Sequence, residues 1–181
     1  MIYQGKQKIW SDYQKEIPDD HWFYVRSCIR QNFFPGSERM FMEICKDVLK
    51  KDFFETEHHT TCGGIAYHCD TIPQETAMTI VARQFALMTE AGYENYVASC
   101  ITSFGNYTEI LETWHEFPEL EAKIREMLWK SCRKEFKKPK YLAHSSDLIF
   151  KFRNEIAEKA KFHLVNKETG HNYASGEGLW R

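Results

Sequence analysis

The residues best suited to chemistry in this chain are cysteines, and two of them lie in one unusual loop. The segment 58–69 reads HHTTCGGIAYHC and has neither a helical nor a strand period. It holds Cys62 and Cys69. Between them, Gly63-Gly64 would let the backbone approach a bound group closely. Such a loop points to metal binding or redox chemistry.

Two further cysteines follow predicted strands. Cys28 ends the stretch HWFYVRSC, and Cys100 follows YENYVAS; both stretches are short and rich in aromatic and β-branched residues. In a parallel sheet both cysteines emerge at the carboxyl edge, where α/β folds place their ligands. We therefore expect four thiols to converge, those of Cys28, Cys62, Cys69 and Cys100. Four thiolates suit tetrahedral zinc or an iron–sulfur cluster, although the spacing matches neither paired CxxC knuckles nor a ferredoxin motif.

The remaining cysteines and the nearby histidines have simpler interpretations. Cys45 and Cys132 lie on apolar helix faces and are expected in the core, since a free cysteine packs as a small hydrophobe. His58, His59 and His68 are candidate ligands or hydrogen-bond donors to sulfur, although a loop histidine is more often simply exposed.

The elements that must position these residues alternate between strand and helix. This order predicts an α/β fold with a mostly parallel sheet flanked by helices. The expected strands are 21–28, 52–59 and 93–99, and a strand or turn is expected within 137–146. The expected helices are 37–51, 73–92, 106–117, 118–136 and 146–160, with a loop at 29–36.

Composition bounds the classes of function. The chain has 181 residues, 43% of them hydrophobic, and a formal net charge of −2. It can bury a core, but it lacks the basic excess of a nucleic-acid binder. The most apolar window, TAMTIVARQFALM, is interrupted by Arg83 and Gln84, so no membrane span is expected. The N-terminus has no secretory h-region, which predicts a cytoplasmic protein whose six cysteines are reduced.

The order of these motifs resembles a known family. A strand ending at Cys28, then HTTCGG at 59–64, then YVASCITS at 96–103 is similar to the cysteine-rich CCG domain of the heterodisulfide reductase subunit designated B. That family has one cysteine, then Cys-Cys-Gly, then CxxC at similar intervals. Here 32 residues separate Cys28 from Thr61, and 37 separate Cys62 from Cys100. The resemblance covers about residues 21–165 and implies one repeat where the family often has two.

Two of the five family cysteines are replaced. Thr61 stands in the Cys-Cys-Gly motif, and Ser103 stands in the CxxC motif. Cys69, outside the family motif, would restore a fourth thiolate for a cubane [4Fe–4S] cluster or a zinc site. Thr61 or Ser103 would alternatively give an oxygen ligand, and a degenerate repeat would hold no metal.

The resemblance implies an electron-transfer subunit of a redox complex that holds one iron–sulfur cluster. Its partners would be iron–sulfur or flavoprotein subunits, and any membrane association would come through them. On this view residues 1–20 form an N-terminal arm, 21–165 the CCG-like domain and 166–181 a C-terminal tail, with Trp10, Tyr13 and Trp180 as docking anchors. A structural or assembly subunit with zinc or no metal is the alternative. Metal-free thiol catalysis by Cys62 or Cys100 is a third possibility.

Overall fold

Four short strands form a parallel sheet at the centre of the molecule. The structure, a computed structural model, describes residues 17–56 and 61–159. The strands are β1 (Trp22–Val25), β2 (Phe53–Glu55), β3 (Asn95–Ala98) and β4 (Tyr141–His144). Their order is β2-β1-β3-β4, and every pairing is parallel. The prediction of an α/β fold with a parallel sheet is confirmed.

The helices that the structure describes connect and cover these strands. They are α1 (Cys28–Phe33), α2 (Pro35–Glu43), which continues into a π-helical turn at Ile44–Val48, α3 (Gly64–His68), α4 (Gln74–Glu90), α5 (Ile101–Glu116), α6 (Pro118–Cys132), α7 (Ser145–Lys151) and α8 (Arg153–Lys159). Within the described residues, no helix is both long enough and apolar enough to cross a bilayer.

Each face of the sheet carries its own core. Phe23, Val25 and Tyr96 point to a core completed by α4, α5 and α6. The alternate strand residues, such as Trp22 and Tyr24, point to a second core made with α2, α7 and α8. Side chains on successive strand residues point to opposite faces, so strands buried on both faces read as continuous apolar runs.

The strand order defines where a ligand site belongs. The chain runs from β1 outward to β2, returns across the sheet to β3 and then continues to β4. The direction therefore reverses between β1 and β3, and doubly wound sheets bind ligands outside the carboxyl ends of the strands at such a point.

Several predicted boundaries were wrong. The expected loop at 29–36 contains α1, whose N-cap Ser27 accepts a hydrogen bond from the Arg30 N–H. Helix α5 begins at Ile101 rather than Asn106, and α6 ends at Cys132 because Arg133 is left-handed. The single helix expected at 146–160 is two helices with a break at Phe152.

Candidate cysteine site

Cys28 and Cys100 lie at the reversal point of the sheet. Val25 pairs with Ala98 at the carboxyl ends of β1 and β3. Cys28 is the first residue of α1, and Cys100 is the N-cap of α5. Both thiols are partly exposed. The structure thus brings these two cysteines to one edge of the sheet, as the sequence predicts.

The loop that carries Gly63 and Gly64 packs against α4 and reaches the same end of the sheet. The Cys28 thiol lies 3.7 Å from the Thr61 hydroxyl, as donor to acceptor. The Thr61 hydroxyl also accepts the Gly63 N–H at 3.2 Å. Thr61 therefore connects the turn at Cys28 to the loop that carries Cys62.

Cys62 is buried within that loop. Its side chain is 5% exposed, and its sulfur accepts the Gly64 N–H at 3.3 Å. The loop turns at Gly63, whose φ is +74°. A Cβ at Gly64 would lie 3.1 Å from the Asn106 Cβ and 3.3 Å from the Cys62 sulfur. The glycine pair therefore permits a tight approach to α5.

Two buried amides hold the loop backbone. Gln84 donates to the Thr61 carbonyl at 2.6 Å, and Asn106 donates to the Cys62 carbonyl at 2.9 Å. Gln84 and Asn106 are 0% and 1% exposed. The Gln84 oxygen accepts the hydroxyls of Tyr96 and Tyr107. The hydrogen bonds from Gln84 and Asn106 therefore fix the backbone on both sides of the Thr61–Cys62 peptide.

The network places a tyrosine hydroxyl in the electrostatic field of Cys62. Burial first, and then the charge of a Cys62 thiolate, raise the pKa of Tyr107 above its ordinary value. Ser103, one of the positions where a family cysteine is replaced, is buried and hydrogen-bonds Tyr107. Tyr107 therefore stays protonated near neutral pH.

Cys69 lies apart from the other three cysteines along the loop. It is the C-cap of α3 and is exposed, whereas Cys62 precedes the N-cap of the same helix. Neighbouring His68 lies 3.9 Å from Glu109 on α5. His58 and His59 lie outside the described residues.

The six cysteines differ in burial. Cys45 is 3% exposed, and burial raises the pKa of its thiol to about 12, so its predicted core position is confirmed. The prediction for Cys132 was wrong: it is exposed at the end of α6, and its thiol donates to the Leu128 carbonyl. Across residues 17–56 and 61–159, no three His, Cys, Asp or Glu side chains are grouped closely enough for one metal ion.

Sequence analysis missed a buried carboxylate next to the turns at Ser27-Cys28 and Ser99-Cys100, here called the cysteine turns. Glu38 of α2 is 2% exposed and accepts the Ser99 hydroxyl at 2.7 Å. Arg30 lies near it and donates to the Ser99 carbonyl at 2.6 Å. The signal was the helical period, because Glu38 precedes Phe41 by three residues and Cys45 by seven and so falls on the buried face.

Arg30 also lines a groove of about 740 Å³. The walls of this groove come mainly from α2 and α7 and include Met40, Ile149 and Phe150. Arg30 therefore contributes both to this groove and to the hydrogen bond with the Ser99 carbonyl.

Fold and site together define a class: a doubly wound α/β domain with cysteines at the carboxyl ends of its two central strands. The chain is 22% identical over 167 residues to the subunit designated B of the ferredoxin:CoB-CoM heterodisulfide reductase of Methanosarcina acetivorans. That match covers 88% of this chain and 53% of the relative, so the chain spans about half of the relative's length. No protein-family model matches the chain.

The fold also matches a solved structure. A hypothetical protein from Helicobacter pylori superposes with a TM-score of 0.53 at 15% identity. The match covers 87% of this chain and 31% of that one. At this identity the likeness supports the fold alone.

Proposed function

We propose that this chain is an electron-transfer subunit of a heterodisulfide-reductase-like redox complex and holds one [4Fe–4S] cluster. The observation that carries the proposal is the contact of Cys28 with Thr61 of the Cys62 loop, at the reversal point of the sheet where Cys100 follows the neighbouring strand. The weak similarity to a heterodisulfide reductase subunit supports the same assignment.

One contact in the loop is of a kind that iron–sulfur sites use. Hydrogen bonds to the ligating sulfurs tune the potential of a cluster. The Gly64 N–H on the Cys62 sulfur would be such a hydrogen bond.

Each residue has a distinct part in this proposal. Cys28, Cys62 and Cys100 would hold the cluster, and Cys69 would complete the set after a rearrangement of α3. The Thr61 hydroxyl, already beside Cys28, is the alternative fourth ligand. The cluster, when bound, would supply one-electron capacity. The chain itself would fix the thiolates through Gln84 and Asn106 and exclude water around Cys62.

The partners follow from the same assignment. Electrons would arrive from, or leave to, an iron–sulfur or flavoprotein subunit, in the cytoplasm or at a membrane reached through such partners. Residues 21–165 would form the cysteine-rich domain, with 1–20 and 166–181 as docking segments. Trp10, Tyr13 and Trp180, the proposed anchors, lie outside the described residues.

A structural subunit is the second candidate. The observation that favours it is the separation of Cys69, which leaves three cysteines for a site that needs four thiolates. Such a chain would complete an assembly and carry no electrons.

Metal analysis separates the two candidates. Anaerobically purified or iron–sulfide-reconstituted protein is expected to hold about four irons per chain and to absorb at ~400 nm. Cys62→Ser should abolish iron binding, because Cys62 is the cysteine held by the loop network. Cys69→Ser tests the fourth ligand through a changed EPR signal.

The matched control is Cys132→Ser, since Cys132 is exposed at the end of α6. It should leave iron content and EPR signal unchanged. Stoichiometric zinc, or a chain without metal after reconstitution, would contradict the electron-transfer proposal and support the structural subunit.

A further inference from the structure

A single buried carboxylate oxygen connects the two cysteine turns. Oε1 of Glu38 accepts the Ser99 hydroxyl at 2.7 Å and lies 3.5 Å from the Ser27 hydroxyl. Ser27 immediately precedes Cys28, and Ser99 immediately precedes Cys100. Glu38 is therefore one residue removed from both cysteines through direct contacts.

The second oxygen of the same carboxylate is unsatisfied. Oε2 of Glu38 is buried and has no hydrogen-bond partner among residues 17–56 and 61–159. A buried carboxylate with an unpaired oxygen is costly as an anion, whereas a bound proton removes the charge. Burial, the dominant cause, raises the pKa of Glu38 to about 6.

Charged side chains from α1 and β2 lie near the Glu38 carboxylate. From α1, Arg30 approaches to 3.8 Å, but its guanidinium also serves the Ser99 carbonyl. From β2, Glu55 adds a negative charge that raises the pKa of Glu38, although Glu55 is itself paired with Arg26.

Two more titratable groups, His144 at the end of β4 and Asp147 in the first turn of α7, lie near Arg30. Burial lowers the pKa of His144 and raises the pKa of Asp147. The hydroxyl of Ser99 acts in the opposite direction to burial and lowers the pKa of Glu38.

We propose that Glu38 accepts a proton when the cysteine site is reduced, so that electron uptake by this chain is coupled to proton uptake. This inference rests on the proposed function. An electron that arrives at the site adds negative charge beside Ser27 and Ser99, and a proton on Glu38 offsets it.

The step is balanced by one electron and one proton. The electron comes from a one-electron donor, a reduced iron–sulfur or flavin group of a partner subunit. The proton comes from a hydronium ion of the solvent, whose O–H bond breaks as one O–H bond forms on the Glu38 carboxylate. Reoxidation returns both.

Redox titration of the reconstituted full chain, followed by EPR between pH 5.5 and 8.5, tests the coupling. From about pH 6 up to the higher pKa that Glu38 takes in the reduced chain, the wild-type midpoint potential should fall by about 59 mV per pH unit, the value for one proton per electron. Glu38→Gln should give a potential that is nearly independent of pH. Glu43→Gln, an exposed carboxylate at the end of the same helix, should behave as wild type.

Two further variants should shift the pH at which the midpoint potential begins to fall, here called the break, without abolishing the fall itself. Ser99→Ala deletes the hydroxyl that lowers the pKa of Glu38, so the break should shift to higher pH. Glu55→Gln deletes a charge that raises it, so the break should shift to lower pH. A purely structural role for Glu38 predicts neither shift, and these variants carry the test if Glu38→Gln does not fold.

The outcomes separate this inference from the proposed function. A reconstituted chain whose slope is the same with and without Glu38 would overturn the proton coupling and leave the electron-transfer proposal standing. A chain that forms no redox-active site would overturn both.

Discussion

At the residue scale, Gly64 is the position in the cysteine loop that tolerates least change. A methyl group there would meet Asn106 carbons at 3.1 and 3.2 Å and the Cys62 sulfur at 3.3 Å. Because Asn106 is buried and holds the Cys62 carbonyl, it cannot move freely. Gly64→Ala should therefore destabilise the fold by about 1–3 kcal/mol, as overpacking does, and lower the iron content after reconstitution.

Gly105 provides the matched control for this prediction. It lies within α5, and an added Cβ meets nothing within 4 Å. Gly105→Ala should stabilise the protein by about 0.5–1 kcal/mol, because alanine loses less backbone entropy in a helix. Urea denaturation of the two variants measures both values. Equal stability of Gly64→Ala and wild type would show that the loop has room.

The sequence identified the cysteines but not the residues that hold them. Cys28 and Cys100 were predictable because each follows an apolar strand in a parallel sheet. Glu38, Gln84 and Asn106 were missed because a polar residue inside a helix looks solvent-facing until its register is checked. Each falls on the buried face of its helix, and only the tertiary structure shows which groups it meets.

At the element scale, long elements were predictable and short ones were not. Helix α4 was predicted from Pro73 to Gly92 and is observed at Gln74–Glu90, because its apolar period is strong. Helix α1 has six residues and no buried side chain, so no periodicity marks it. Helix α3 has five residues within a loop that was predicted to be irregular. Both short helices are positioned by tertiary contacts with longer helices, α1 by α2 and α3 by α4 and α5.

At the amino ends of the strands, away from Cys28 and Cys100, a histidine links three strands. His21 precedes β1, lies 2.8 Å from the Asp52 carboxylate before β2, and stacks on Tyr93 before β3. The hydrogen bond to Asp52 is the main cause that raises the pKa of His21. Protonated His21 thus connects the starts of three strands.

The sign of the resulting pH dependence follows from linkage. A histidine whose pKa is higher in the folded state binds protons more tightly there, so its contribution is complete below about pH 6.5. That contribution is lost as the pH rises through the raised pKa. The wild-type free energy of unfolding should therefore fall between pH 6.5 and 8.5 by more than that of His21→Asn.

Asparagine is the suitable replacement because His21 has a φ of +67°, which asparagine tolerates. The raised pKa of Glu38 also makes the free energy of unfolding fall as the pH rises. Because wild type and His21→Asn both contain Glu38, this contribution cancels when the two pH profiles are compared. Both groups of the His21–Asp52 pair are about half exposed, so the effect should shrink in high salt. Parallel pH profiles for the two proteins would show that His21 contributes nothing.

At the scale of the whole molecule, the sequence predicted the fold because strands alternate with helices and the central strands β1 and β3 are buried on both faces. That pattern is compatible only with a sheet covered on two sides. The pairing order was not predictable, because strands of three or four residues carry little register information. The reversal between β1 and β3, which places Cys28 and Cys100 at neighbouring strand ends, is visible only in the structure.

The two cores share one sheet, so we expect the described residues to unfold as a single cooperative unit. Phe23 belongs to one core and its neighbour Trp22 to the other, so loss of either core exposes β1. Ile124→Ala on α6 and Leu148→Ala on α7 remove one fully buried side chain from opposite faces. Each should cost about 2–5 kcal/mol and shift the same unfolding transition.

Urea titrations followed by both far-UV circular dichroism and tryptophan fluorescence check this, because Trp22 and Trp114 report on opposite cores. Coincident curves with an unchanged slope in both variants are expected for two-state unfolding. If Leu148→Ala gave an early transition in which only one probe changed, the α7 face would be an independent unit. The Cys28 and Cys100 turns, which α2 joins through Glu38, would then separate before the sheet unfolds.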